Sequence, residues 1–325
     1  MKTTTASPTT THPGGPLATF AIVAGSSILF CSKGVVAKLA YAHGADALSV
    51  LTLRMGISLP FFIAMALWWS RHAERLTRRD WARLAGLGFI GYYVSSLVNF
   101  TGLQYVSVGL ERIVLYTYPS MVLVISAFVL RKRVPAITWT ACIIAWLGIV
   151  AAFIGETHAP VGNDRTTFGT ALIFASAFTY ALFILWSGGV IKRVGAMRFA
   201  GIAGSFSCVF MLAHAFLARP ITPIFHLPTS VYGDGAILAI LGTVAPTLLL
   251  SVGLRRTNAQ RFAIIGTVGP IATLLLAWAV LGERPNFGQI LGFALTMGGG
   301  LAVSLMKAEP APRKDPASRA TDSAN

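Results

Sequence analysis

The sequence predicts an all-α integral membrane protein of ten transmembrane helices arranged as two inverted five-helix repeats. Three observations carry this: too few charges for a water-facing surface, ten separated apolar runs, and features that recur 151 positions apart. Hydrophobic residues make up 55% of the 325-residue chain and charged residues only 11%, with a mean hydropathy of +0.69. Soluble domains carry about 25% charged residues, so hydrocarbon must be the solvent for most of this surface.

A span across a hydrocarbon core of about 30 Å takes about 20 apolar residues as a helix. The runs that qualify are Leu17–Tyr41, Leu48–Trp69, Leu84–Val106, Gly109–Leu130 and Ile137–Ile154, followed by Phe168–Val190, Met197–Leu217, Ala236–Leu254, Phe262–Leu281 and Phe287–Met306. Backbone groups in lipid must be satisfied within each segment, which requires helices. The short period-two segments of a membrane β-barrel are absent. The first run is too long for a signal-peptide core and contains Lys33 and Lys38, so it reads as a retained helix.

The formal net charge is +15, but the basic residues fall in bursts between apolar runs, as in Arg78-Arg79, Arg131-Lys132-Arg133 and Arg255-Arg256. That excludes the basic groove of a nucleic-acid reader and fits cytoplasmic loops. With both termini inside, nineteen of the 26 basic residues lie on the cytoplasmic side. The other seven are Lys33, Lys38, Arg54, Arg112, Arg165, Arg219 and Arg284. The expected location is the inner (plasma) membrane, multi-pass, with cytoplasmic ends.

Displacing the chain against itself by 151 positions matches Gly102-Leu103 with Gly253-Leu254, Pro119 with Pro270, Val129-Leu130 with Val280-Leu281, Arg133 with Arg284 and Gly148 with Gly299. An odd number of helices per half makes the second half start on the opposite side, so the repeats are inverted, as in many secondary transporters. The expected division is a disordered cytoplasmic tail at 1–16, a first repeat at 17–155, a periplasmic loop at 156–167, a second repeat at 168–306 and a disordered tail at 307–325.

These residues resemble the drug/metabolite transporter superfamily, in particular its EamA-type members with two five-helix domains. The resemblance is carried by Gly44–Asp46 leading to Leu53-Arg54, by Pro119, and by Leu281-Gly282-Glu283-Arg284-Pro285, which is similar to a recurring Gly-Glu-Arg of that family. The chain departs from the pattern at Arg131-Lys132-Arg133 and at Glu111-Arg112. The resemblance implies a transporter exporting amino acids or related small metabolites. Broad drug efflux and metabolite uptake remain alternatives.

Charged groups at bilayer depth cost roughly 2.5–3.5 kcal/mol each on insertion scales and mark candidate sites. Lys33 lies about sixteen residues into the first run, roughly 24 Å at 1.5 Å per residue. Arg54 and the Glu111-Arg112 pair reach a similar level on runs that enter from outside, and Asn99 in the third run lands in the same layer, which predicts a shared polar chamber opening outward. In one reading Lys33 and Arg54 meet an anionic group such as a carboxylate, with Glu111 tuning them or taking a proton. In the other, Lys33 and Arg112 reach outward to headgroups and Arg54 pairs with Glu111 for satisfaction alone. Tyr92, Tyr116, Thr179, Tyr180 and Thr247 complete the candidate substrate-binding set. Pro119 and Pro270, read as interior prolines that kink their helices, are candidate hinges.

The expected partners are a small-molecule substrate carrying a carboxylate, protons as coupling ion and the lipid bilayer, with no nucleic acid, in a monomer or weak dimer. No cofactor, metal or catalytic residue is expected: the sequence lacks the P-loop, His-Glu-x-x-His and Gly-x-Ser-x-Gly signatures. Tyr232-Gly233-Asp234-Gly235 resembles an intramembrane aspartyl protease motif but has no second intramembrane Asp to pair with. An intramembrane enzyme or a receptor is the more distant alternative.

The charge bias sets a topology test. A reporter fused after Lys307 is expected to be active only in the cytoplasm, and one inserted near Asn163 only outside. The reverse result at either position would remove the orientation.

Overall fold

A computed structural model describes residues 16–129, 135–157, 165–218, 224, 226–256 and 265–305. The Arg131–Arg133 turn, both tails, most of the 156–167 loop and the expected start of the ninth run at Phe262 lie outside the described residues. Within them every regular element is helical.

Eight helices are long and apolar enough to cross a membrane. They are α1 (Leu17–Ala42), α2 (Ala47–Ser70), α3 (Arg78–Leu103), α4 (Val108–Val129), α5 (Ala136–Thr157), α6 (Thr166–Val194), α7 (Ala196–Ala218) and α8 (Thr229–Leu250). Two further apolar helices are shorter as described, α9 (Val268–Leu281) and α10 (Phe287–Leu305). At 1.5 Å per residue, the fourteen residues of α9 cover about 21 Å.

Local chemistry sets the boundaries. Asp46 caps α2 by accepting from Ser49 N at 3.0 Å. The third helix begins six residues before the expected Leu84, because Thr77 and Asp80 form a reciprocal capping box. Asp80 accepts from Thr77 N at 2.9 Å and also holds Arg193 at 3.0 Å. Arg78, Arg79 and Arg83, expected in a loop, therefore lie on helical turns. Gly282, in the left-handed conformation at φ 69°, ends α9.

Two helices contain a π turn, Gly88–Val94 in α3 and Ile240–Val244 in α8. In each the backbone steps to i→i−5 bonding, Ser95 N to Ile90 O and Ala245 N to Ile240 O. Gly91 and Gly242, at the centre of the two turns, are 151 positions apart.

Packing repeats the relation. α1 lies against α8 and α9, and α6 lies against α3 and α4; α2 packs on α7, and α5 on α10. α2 also meets α8, as α7 meets α3. Replacing each helix by the one five places along leaves this set of pairs unchanged. The α5–α10 contact depends on missing side chains. A Cβ on Gly148 would sit 2.5 Å from Thr296 Oγ1 and 2.7 Å from Gly292 O, and one on Gly299 2.5 Å from Ala141 O. Thr296 Oγ1 donates to Ala145 O at 3.1 Å across the same seam.

Overpacking of this kind costs typically 1–3 kcal/mol. Gly148→Ala and Gly299→Ala are each expected to lower the melting temperature in detergent, followed by size-exclusion of the heated protein. Gly298→Ala, where nothing lies within 4 Å of the added carbon, is expected to melt as the parent does.

Candidate functional site

Helical spacing carries one polar face of each of several helices to a common cavity of about 330 Å³. On α1 the lining residues Ser26, Phe30 and Lys33 recur at i, i+4 and i+7. On α3 they are Tyr92, Ser95, Ser96 and Asn99, with Gly91 and Tyr92 placed by the π turn. On α4 they are Arg112, Tyr116 and Pro119, and on α6 Ser176 and Tyr180. Arg54 enters from α2, and Leu250, Thr267 and Met297 line the side formed by the second half.

Of the sequence candidates, Lys33, Arg54, Tyr92, Asn99, Arg112, Tyr116 and Tyr180 line the cavity, as does Pro119. Thr179 does not; its hydroxyl donates to Ser176 O at 2.9 Å. Thr247 donates to Thr243 O at 2.6 Å and lines a neighbouring recess of about 40 Å³ with Arg54 and Tyr92. Pro270 is buried in α9 and is not a lining residue. The reading missed Ser26, Ser27, Cys31, Ser95 and Ser96 as lining residues. The signal was in the sequence: stepping three, four and seven residues back from Lys33 and Asn99 along their helices finds three of these positions and their cavity-lining neighbours Phe30 and Tyr92.

The charges are not paired as the second reading has it. Glu111 is completely buried and Arg112 is 2% exposed, and they bond each other. Glu111 Oε2 accepts from Arg112 Nε at 2.7 Å, and Oε1 accepts from Arg112 Nη2 and Asn99 Nδ2, both at 3.0 Å. Gly34 on α1 lies against this cluster; a Cβ there would stand 3.6 Å from Glu111 Oε2, an ordinary contact, and 3.3 Å from Val108 Cγ1. Arg112 therefore does not reach toward headgroups, and Arg54 is not the partner of Glu111.

Arg54 is held from the other half. Its Nε donates to Thr243 Oγ1 at 2.7 Å, and its guanidinium carbon lies 5.1 Å from the Phe100 ring centroid. Thr243, in the second π turn, passes its own proton to Leu238 O at 2.9 Å. Nη1 of Arg54 is buried with no hydrogen-bond partner. Lys33 turns inward, with Nζ 5.2 Å from the Phe30 centroid.

The chamber was expected to open outward. The structure instead closes the end of the bundle that the charge bias assigns outside. Ser107 caps α4 there, and Glu156 accepts from Ser107 N at 2.7 Å and from Ser107 Oγ at 2.8 Å. Glu156 also accepts from Gln289 Nε2. Glu283 accepts from Val108 N at 2.9 Å. Carboxylates belong at a helix N-terminus, whose free N–H groups carry partial positive charge, and these two draw α4, α5 and α10 together. Burial pushes the Glu283 carboxyl above its usual range, against the opposing pull of Lys38 and the Val108 N–H. Beyond Lys33, Val35, Ala37 and Ala40 of α1 are also buried. The cavity runs the other way, toward Leu250, Gly300 and Leu301.

Removing one member of a buried ion pair costs about 3–5 kcal/mol, because the other charge is stranded. Glu111→Gln is expected to reduce folded yield and melting temperature sharply, and adding Arg112→Gln to restore most of the loss. Arg54→Gln strands no carboxylate and is expected to fold at near-parent yield in the same size-exclusion assay.

The chain is 29% identical over 270 residues to a Bacillus subtilis (strain 168) protein named uncharacterized transporter YcbK, spanning 82% of this chain and 86% of that protein. An uncharacterized transporter of Archaeoglobus fulgidus is 22% identical over 259 residues, or 77% of this chain and 86% of the relative. A solved crystal structure superposes with a TM-score of 0.60 at 18% identity, covering 89% of this chain and 97% of that one, which shows a common fold. The family described as EamA-like transporters matches twice, at residues 18–154 and 167–305. The two matches cover both halves of the helical bundle, and the chain belongs to the EamA-like transporter family, as a multi-pass membrane protein.

Proposed function

We propose that this protein is a secondary carrier of the drug/metabolite type, exporting amino acids or related small metabolites across the inner membrane by alternating access. In this reading the ten helices are two inverted five-helix repeats, both termini are cytoplasmic, and the protein is neither an enzyme nor dependent on a cofactor. The observation that carries it is the placement of one polar cavity between two halves whose helix pairings exchange onto each other. Such an arrangement has two equivalent ways to close around a central site, one sealing each end. Here the Glu156–Glu283 end is sealed and the cavity extends toward the basic end, which corresponds to the loading side of an exporter.

Coupling to protons is supported by the position of Glu156 and Glu283. Each is a buried or half-buried carboxylate, and each bonds helix ends at the sealed side. Opening that side exchanges those bonds for water and removes the burial that holds the Glu283 carboxyl above its usual range, so the two states of the carrier differ in their hold on a proton there.

The prolines enter this scheme at a different point from that expected. Neither kinks the middle of a continuous helix. The first segment of α4 ends at Leu115, Tyr116 and Thr117 form a turn, and Pro119 stands in the first turn of the segment that follows. Pro270 stands in the first turn of α9, just after Thr267. A missing N–H is least costly there. The breaks at Tyr116 and Thr267 are themselves 151 positions apart. Pro270 leaves the carbonyl of Gly266 without its helical donor, and Ser27 Oγ of α1 takes the place at 2.5 Å. The hinge of the proposal is thus the break, with proline fixing where the helix resumes.

Pro119→Ala and Pro270→Ala let the helix continue through the break. Each is expected to slow flux in proteoliposomes at least several-fold while substrate binding stays within a few-fold of the parent. Parent flux should saturate and should accelerate when unlabelled substrate is placed on the far side. Linear, unsaturable flux without such exchange would mean a pore, and unchanged rates in both variants would take the hinge away.

A further inference from the structure

We propose that the cavity selects a small monocarboxylate with an aromatic or branched apolar remainder and no ammonium group; this narrows the carrier reading above and rests on it. Among the described residues, three cationic side chains, Lys33, Arg54 and Arg112, line the cavity, and no Asp or Glu does. The nearest carboxylate, Glu111, is fully buried behind Arg112 and has both oxygens engaged by Arg112 and Asn99. One of the three cations is thereby matched. Lys33 and Arg54 are not.

Arg54 gives the second, independent observation. It is 6% exposed, one face is fixed by the bond to Thr243, and Nη1 has no acceptor. A buried guanidinium N–H without an acceptor is costly to keep, and an entering carboxylate supplies the missing acceptor. One carboxylate oxygen suits the free edge of a guanidinium, and the second is left for the Lys33 ammonium.

An ammonium group has no corresponding place. It would enter a wall that already carries unmatched positive charge, and the one acid able to receive it is sealed off. An amino acid therefore gains at its carboxylate and loses at its amine, whereas the deaminated acid only gains. The remainder of the ligand meets Phe30, Tyr116, Tyr118, Tyr180 and Met297. The space of about 330 Å³ is roughly twice the ~150 Å³ cavity that holds a benzene ring. That admits one ring with a short acid arm.

Three compounds that share a phenyl ring on a two-carbon arm separate the possibilities: 3-phenylpropionate, phenylalanine and phenethylamine. Binding is measured by titration calorimetry on the purified full-length protein in detergent, at pH 7. The expected order places 3-phenylpropionate at least tenfold tighter than phenylalanine, with no binding of phenethylamine. Arg54→Gln and Lys33→Gln should each weaken the acid at least tenfold, but the ligand series on the parent protein decides even if a variant fails to fold. Phenylalanine binding as tightly as the acid, binding of the amine through the tyrosine faces, or no binding by any of the three overturns the proposal. Counterflow in proteoliposomes keeps the two readings apart. Binding of the acid without saturable flux removes the carrier reading and leaves the site. Flux of amines or zwitterions that ignores the acid removes the site and leaves the carrier.

Discussion

The Glu111–Arg112 bond is the interaction on which the rest of the polar chamber depends. Adjacent residues on a helix point about 100° apart, so a pair at i and i+1 does not ordinarily meet. Here the two side chains converge because either charge alone, at this depth, has nowhere better to go. Once joined, they set the roles of their neighbours. Asn99 completes the hydrogen bonding of Glu111, and Lys33 and Arg54 are left without an acidic partner among the described residues. The same bond that stabilises the fold thus leaves the chamber positive.

The two halves are tied by polar contacts at several levels, with Asp80 on Arg193 and Ser70 on Arg198 among them. In the chamber, Arg54 of the first half is oriented by Thr243 of the second, and Ser27 of the first serves the carbonyl of Gly266 in the second. At the sealed end, Glu283 of the second half caps the N-terminus of α4 in the first. This gives a physical role to the glutamate of Leu281–Pro285. It extends beyond its own helix end to satisfy that of the other half. Along its apolar length the α5–α10 seam is held by glycine-mediated approach instead, and Glu156 meets Gln289 where that seam reaches the sealed end.

Much of this was legible in the sequence, because the bilayer imposes simple rules. Hydropathy alone located the described helices, though it set the starts of α3 and α8 late, and counting residues inward from each end put Lys33, Arg54, Asn99 and Arg112 at one level, where the structure brings them to one cavity. Depth, however, is a coordinate along the helix and says nothing of rotation around it. That is why Arg54 was matched with Glu111 when its partner is Thr243, and why Thr179 and Thr247 were placed in the site although their hydroxyls are used on their own helices. The early start of α3 was missed for another reason. Hydropathy weighs Arg78 and Arg79 as loop residues, while the Thr77–Asp80 box decides the boundary through hydrogen bonds. The direction in which the chamber opens is a property of one conformation, and the linear pattern of charge does not distinguish conformations.

Each π turn holds one residue more than an α-helix would use for the same rise. The surplus is taken up locally, so the helical segments on either side keep their faces while the residues inside the bulge turn away from the direction regular winding would give them. In α3 this is where Gly91 and Tyr92 meet the cavity, and in α8 it is where Thr243 meets Arg54. Deleting one residue from either turn would leave the flanking faces in place and displace those contacts alone.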